Sequence, residues 1–227
     1  MYAIETFSLC KKFIEKDNQS RLCAAVKDVN LRIKQQEIAV LIGENGAGKT
    51  TLIKLLSCLI YPTSGSALVA GYDILKQEYN VRGLVGLVLG DERNFYWRLT
   101  GRENLEFFAS LYGVTAQEAR NRINLLSSLL NLENELDRRF LSYSAGARQK
   151  LAIIRALIPG PKILLMDEPF KNLDQATIKI VQEYIKKDII PVFGATVLYT
   201  THSRYEVDEF STLLIEIHKG VIQEGKP

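Results

Sequence analysis

Cysteine is scarce, with three in 227 residues, and Cys10, Cys23 and Cys58 stand far apart. An odd, scattered set suits neither a disulfide framework nor a zinc site, so a reducing compartment is expected. Long apolar runs are missing too. Lys, Arg, Gly or Pro interrupts every stretch before it reaches the roughly 18–20 residues that cross a bilayer, so the chain is not expected to span a membrane itself. Charge of one sign is lacking: 29 basic against 26 acidic residues leave +3. With no dense Lys/Arg stripe, nucleic acid is not expected as a partner. The start, MYAIETFSLCKKF, has no apolar region after a basic one, so it is not a secretory signal and Met1 is expected to begin the mature protein.

What is present is ordinary for a globular fold: 47% hydrophobic and 24% charged residues, enough for one domain with a sizeable core. Residues 2–42 hold short β-like runs, IETFSL, VNLRI and IAVLIG, separated by a polar stretch at Glu15–Arg21. From Gly48 to Ile60 the pattern is helical, until Pro62 and Ser64-Gly65 stop it. Between about Thr100 and Pro159 the helical period returns. Leu105, Phe108 and Tyr112 share one face, as do Ile123, Leu126 and Leu130. Thr100 with Glu103 and Thr115 with Glu118 read as capping boxes. KILLMD is a buried strand, Ile178, Val181 and Ile185 mark a further helix, ATVLYTTH is another strand, and TLLIEIHKGVIQEG reads as a hairpin.

The strongest local pattern is Gly43-Glu-Asn45-Gly46-Ala47-Gly48-Lys49-Thr50, a G-x-x-x-x-G-K-[ST] loop between an apolar strand and a helix. Its small residues let the backbone curl until its amides face phosphate oxygens, and the helix dipole adds positive potential. Lys49 supplies charge for the β- and γ-phosphates, Thr50 is placed to ligate Mg²⁺, and Thr51 can reach the α-phosphate. A second pattern, Ile163-Leu-Leu-Met-Asp167-Glu168, ends a buried strand in two carboxylates. Beside a phosphate loop, Asp167 is suited to the Mg²⁺ shell and Glu168 to the attacking water. A third, Tyr143-Ser144-Ala145-Gly146-Ala147-Arg148-Gln149-Lys150, opens a helix with Ser144 as N-cap, so hydroxyl, glycine amide and dipole form a second anion site. One ATP needs one cradle, so a second suggests a nucleotide held by another copy.

With these motifs in this order, the whole chain resembles the nucleotide-binding subunit of ABC transporters. GENGAGKTT is similar to the family's Walker A motif, YSAGARQ to its LSGGQ signature, ILLMDE to Walker B, NLD to the D-loop and TTH to the switch histidine. The resemblance implies an α/β fold: a P-loop NTPase core with a mixed central sheet, an N-terminal antiparallel β subdomain and an inserted α-helical subdomain. It implies a single ABC ATPase domain over 1–227, with 1–90 and 160–227 as core and β subdomain and about 91–159 as helical subdomain. Two ATPase subunits, expected to be identical, would pair head to tail. Each ATP would lie between the Walker motifs of one and Ser144 and Gly146 of the other.

The resemblance also assigns roles residue by residue. His202 matches the switch histidine that contacts the γ-phosphate and, with Glu168, orients water; otherwise it is a satisfied surface residue. Phe13 matches the aromatic that stacks on adenine, burial in the small sheet being the other reading. Asp174 matches the D-loop acid, or caps the following helix. His218 reads as a turn residue. Three departures stand out. Where the family has a glutamine, this chain reads Val88-Leu-Gly-Asp91-Glu92-Arg93-Asn94, which puts Asp91 at that position as a further contact to Mg²⁺ or its water, or as a plain loop residue. The signature carries Tyr143, Ala145 and Ala147, like the variant of drug and polysaccharide exporters. Pro169-Phe170-Lys171-Asn172 replaces a small-residue turn with no reason visible in the sequence.

The aromatics of Asn94-Phe95-Tyr96-Trp97-Arg98-Leu99 cannot all face one core. They belong either to the groove that receives a helix of the membrane subunit or to a local core. The expectation is an ATPase driving a separate transmembrane permease, an exporter, from the cytoplasmic face of the cell membrane. The alternative is a soluble ABC-type ATPase in assembly, such as iron–sulfur cluster biogenesis. A GTPase is disfavoured, since no N/T-K-x-D pattern occurs.

Overall fold

The computed structural model describes residues 1–14, 22–90, 95–202 and 210–224; the stretch Glu15–Arg21 and Asp91 to Asn94 lie outside the described residues. The chain divides into two units, Met1–Val85 with Lys162–Asp167 and Gly194–Pro227, and Gly86–Pro161 with Glu168–Phe193.

In the first unit the chain runs β1 (Tyr2–Ile14), β2 (Leu22–Val29), β3 (Arg32–Lys34), β4 (Ile38–Ile42), α1 (Lys49–Leu56), β5 (Ser64–Val69), β6 (Tyr72–Asp73) and α2 (Glu78–Leu84). β1 is the spine of an antiparallel sheet ordered β2-β1-β5-β6, with β3 also on β1. Its length is broken by bulges near Ser8, where φ is 46° and the register to β5 shifts between Phe7 and Cys10. A bulge adds twist, which keeps so long a strand from presenting a flat face.

The second sheet holds β4 among strands contributed much later in sequence: β8 (Ile163–Asp167), β9 (Thr196–Thr201), β10 (Leu213–His218) and β11 (Val221–Glu224). The order is β11-β10-β4-β9-β8, parallel except for the antiparallel hairpin of β10 and β11. Every residue of β4, β8 and β9 is buried. Burial on both faces is why these strands read as unbroken apolar runs. The register sets Ile42 beside Thr201 and Asp167 beside Thr200, so the three strands end together at one edge.

β7 (Val85–Val88) leads into the second unit, which holds α3 (Gly101–Leu111), α4 (Ala116–Leu129), a 3₁₀ turn at Phe140–Ser142 and α5 (Ala145–Leu157). After β8 comes α6 (Gln175–Tyr184), which continues through a π turn at Ile185–Ile189 into α7 (Ile190–Phe193). The unit therefore takes in residues 168–193 as well as helices expected within 91–159. Side chains account for this: Phe193 lies against Gly160, and the Arg122 guanidinium stands 5.3 Å from the Phe193 ring. At Thr100 the capping box is complete, with the Glu103 amide donating to the hydroxyl and the Thr100 amide donating to the Glu103 carboxylate. At Thr115 the hydroxyl accepts from the Glu118 amide, while the Glu118 carboxylate pairs with Arg122 one turn on.

The core of the second unit is built on rings. Phe95 is buried and stacks on Phe140 at 4.7 Å, while Tyr96 and Trp97 are exposed, so the aromatic triplet is divided between core and surface. Arg155, inside this core, stands 4.6 Å from the Phe95 ring and 5.0 Å from Phe108, and donates to the Leu87 carbonyl. Burial pulls its guanidinium down to about 10, so it stays charged at neutral pH, offset by the faces of two rings. Tyr143, which stands where the signature usually has leucine, is buried, and its hydroxyl donates to the Glu135 carbonyl at 2.6 Å.

Room for that hydroxyl comes from Gly101: a Cβ there would lie 2.0 Å from the Tyr143 oxygen. Gly101→Ala is therefore expected to destabilise the protein by ~1–3 kcal/mol through overpacking. Adding Tyr143→Leu, which removes the clashing atom, should recover part of the loss; urea denaturation of the two variants measures both effects.

Candidate functional site

At the end of β4 the first unit makes a tight loop before α1. Gly46 has φ 80° and Gly48 φ 108°, and Gly48 also passes so close to β2 that a Cβ would lie 2.2 Å from the Ala25 carbonyl oxygen. Only glycine meets both demands. No side-chain cap and no acidic residue of its own occupies the first turn of α1, so its first amides are left uncapped by side chains. Asn45 and Gly46 are exposed at the rim, Ala47 is buried beneath it, and Thr51 is half-buried one position beyond Thr50.

Lys49 is 5% exposed, and its ammonium donates to the carbonyls of Gly43 at 2.7 Å and Glu44 at 3.1 Å. The charge is thus held at the mouth of the loop, where a phosphate oxygen could replace a carbonyl. At the end of β8, Asp167 is 8% exposed and accepts two hydroxyls, Thr50 Oγ1 on Oδ2 and Thr200 Oγ1 on Oδ1, each at 2.7 Å. The sequence motifs give Thr200 no role of its own. A threonine in a buried strand reads as a β-former, and the only signal was a hydroxyl residue two places before His202.

The donor set fits a small hard cation. A hydroxyl and a carboxylate share one point, both oxygen ligands, and no group of three or more His, Cys, Asp or Glu suited to a metal occurs among the described residues. Oxygen ligands such as the Thr50 hydroxyl and the Asp167 carboxylate are of the kind Mg²⁺ takes when it completes its shell with phosphate and water.

His202 follows β9 and is exposed. It lines a cavity of about 330 Å³ with Gly43, Glu44, Glu216, His218 and Gln223. His218 therefore lies at the same cavity from the end of β10. Phe13 is 43% exposed near the end of β1, with the Lys11 ammonium 5.2 Å from its ring, so the ring is open to a flat partner and not enclosed in the small sheet. The first unit thus brings together Gly43 to Thr51, Asp167, Thr200 and His202.

The second unit carries the other residues singled out. Ser144 caps α5, its hydroxyl accepting from the Ala147 amide at 3.1 Å, with Gly146 in the first turn. Asp174 caps α6. Hydrogen bonds from the Thr177 amide and hydroxyl hold its carboxyl below the ordinary range, so the cap persists at neutral pH and is lost only as pH falls through that lowered value. Glu168 follows Asp167 directly in the chain and is half-buried with φ 48°. The unusual Pro169-Phe170 segment has a structural reason: both residues are buried, Phe170 at 3% exposure, so the turn is anchored by packing. Asp91 and Glu92 lie outside the described residues.

Known proteins resemble this chain in sequence and in fold. Residues 26–171 fit the family model described as ABC transporter. The chain is 38% identical over 209 residues to the ABC transporter ATP-binding protein NatA of Bacillus subtilis (strain 168), covering 92% of this chain and 84% of that one. It is 34% identical to the phospholipid-transporting ATPase ABCA3 of Homo sapiens over 88% of this chain, but spans only 12% of that protein. The doxorubicin resistance ATP-binding protein DrrA of Mycobacterium tuberculosis (strain H37Rv) is 33% identical over 87% of this chain and 59% of its own length. Among solved structures, the dimeric bacterial ABC transporter cassette MJ0796 superposes with a TM-score of 0.86 at 25% identity, covering 99% of both chains. The same cassette in a post-hydrolysis state, bound to ADP and Pi, superposes with a TM-score of 0.85 at 24% identity, again over 99% of both chains. By its phosphate loop, its paired Thr50 and Asp167 and these matches, the chain belongs to the ABC transporter family as one of its ATP-binding, ATP-hydrolysing members.

Proposed function

We propose that this ATPase powers export through a separate transmembrane permease, acting as a head-to-tail pair of identical chains with Mg²⁺ at the cytoplasmic face of the membrane. The single observation that carries the catalytic reading is the pair of 2.7 Å hydroxyl contacts on Asp167, one of them from Thr50, which directly follows the buried Lys49. The transport reading is supported by relatives whose names are those of transporter ATP-binding proteins, and the outward direction by the one named for doxorubicin resistance. Those names favour it over a soluble assembly ATPase. No helix among the described residues is long and apolar enough to cross a membrane, which fits a separate permease. In this reading 1–227 forms one ATPase domain, and the exposed Tyr96 and Trp97 belong to the surface that meets the permease.

Each residue then has a task. The amides from Gly43 to Thr51 hold the phosphates, Lys49 neutralises charge as it develops on the transferring phosphoryl group, and Phe13 stacks on the adenine. Thr50 and Asp167 would hold Mg²⁺, which supplies charge neutralisation at the phosphate oxygens, with Asp91 assigned as a further contact. Glu168 takes the proton of the attacking water, and His202 orients that water against the γ-phosphate. Ser144 and Gly146 close over the nucleotide of the other copy, with Asp174 at the same junction.

Three measurements test this. Lys49→Ala should lower ATPase turnover by about 10²–10³-fold, the loss typical of one aimed donor, and full activity would refute the phosphate-loop role. Glu168→Gln should lower turnover by about 10²–10⁴-fold while ATP still binds and a dimer accumulates by gel filtration. Affinity isolation of the chain from detergent-solubilised membranes should bring down a polytopic membrane protein; recovery of soluble assembly factors alone would reverse the transport reading.

A further inference from the structure

Gln149 is a buried polar side chain with no part in the chemistry described so far. It is 8% exposed, and its Nε2 donates to the carbonyl of Pro169 at 2.7 Å. Pro169 is the residue after Glu168, and the turn it belongs to is not relaxed backbone. Glu168 has φ 48°, the left-handed region that a glutamate adopts only where the surroundings hold it, while Asn172, a residue that tolerates this region, has φ 64°. The turn is closed by the Lys171 amide donating to the Glu168 carbonyl at 3.3 Å and pinned by the buried Phe170. One turn before Gln149 on the same face of α5, Gly146 runs so close that a Cβ would stand 2.8 Å from the Asn172 carbonyl oxygen. One face of α5 therefore touches the Glu168 turn near both ends, by backbone at Gly146 and by a directed hydrogen bond at Gln149.

We infer that Gln149 is a positioning residue for Glu168. Its amide fixes the Pro169 carbonyl, and through that peptide it holds the left-handed backbone from which the Glu168 carboxylate projects. The inference rests on the proposed role of Glu168 as base. Without the amide donor, the turn loses its directed tie and the carboxylate samples orientations from which it does not reach the water. The phosphate loop and the Ser144 cap, which hold the nucleotide in the proposed reading, keep their own groups.

The test uses the full-length chain carrying Gln149→Met, which keeps length and volume and removes the donor. Its kcat should fall by about 10- to 100-fold, as expected for a misplaced catalytic group, with ATP affinity and KM within about twofold of the parent. In a Glu168→Gln background the same substitution should lower residual turnover no further, because there is no base left to position. Equal losses in both backgrounds, or a rise in KM in place of a fall in kcat, would overturn the inference. If Gln149→Met does not fold by circular dichroism, Gln149→Asn, whose amide is one methylene short, is measured by the same readouts. A parental rate in Glu168→Gln sinks the base reading itself; a low rate there with parental kcat in Gln149→Met sinks only the role of Gln149.

Discussion

Asp167 is the point on which the first unit turns. Its two oxygens accept hydroxyls from α1 and β9, so one carboxylate at the end of β8 ties together the three elements that frame the phosphate loop. Such a tie is possible only because β4, β9 and β8 run parallel in a register that ends them at one edge. Buried on both faces, these strands leave their carboxyl ends as the place where polar groups can meet a ligand, the usual position of sites in open α/β sheets. The loop geometry follows from the same constraint. β4 must turn within a few residues into α1 while passing the Ala25 carbonyl, and Gly48 is what the turn admits.

The second unit is organised around a different difficulty, a guanidinium inside a ring core. Arg155 is held by the faces of Phe95 and Phe108 and by the Leu87 carbonyl. That placement makes α5 more than an amphipathic helix: its capped end carries Ser144, its middle holds Pro169 through Gln149, and its later turn supports the aromatic segment.

Legibility followed chemistry that is local in sequence. The phosphate loop could be read because a curled backbone demands small residues in fixed order, Asp167 because an apolar run must stop where it meets water, and the caps at Thr100, Ser144 and Asp174 because a hydroxyl or carboxylate at that spacing has one natural partner. What stayed hidden depends on contacts between distant residues. Thr200 is by sequence any strand threonine, and only the fold puts its hydroxyl on Asp167. Tyr143 in the signature became intelligible only with Gly101 beside it, and Phe170 only with its burial. Nor could the left-handed backbone of Glu168 be read, since nothing in its own side chain favours it.

Beneath Tyr96 and Trp97 the backbone is already clamped. The fully buried Asn104 accepts from the Tyr96 amide at 2.8 Å and donates back to the Tyr96 carbonyl at 3.0 Å, while the Arg148 guanidinium stands 5.4 Å from the Trp97 ring. Much of the ordering that association usually demands of a surface has thus been completed by folding. A chain that docks on these two rings meets a preorganised surface, and the entropy lost on binding falls mainly on the newcomer.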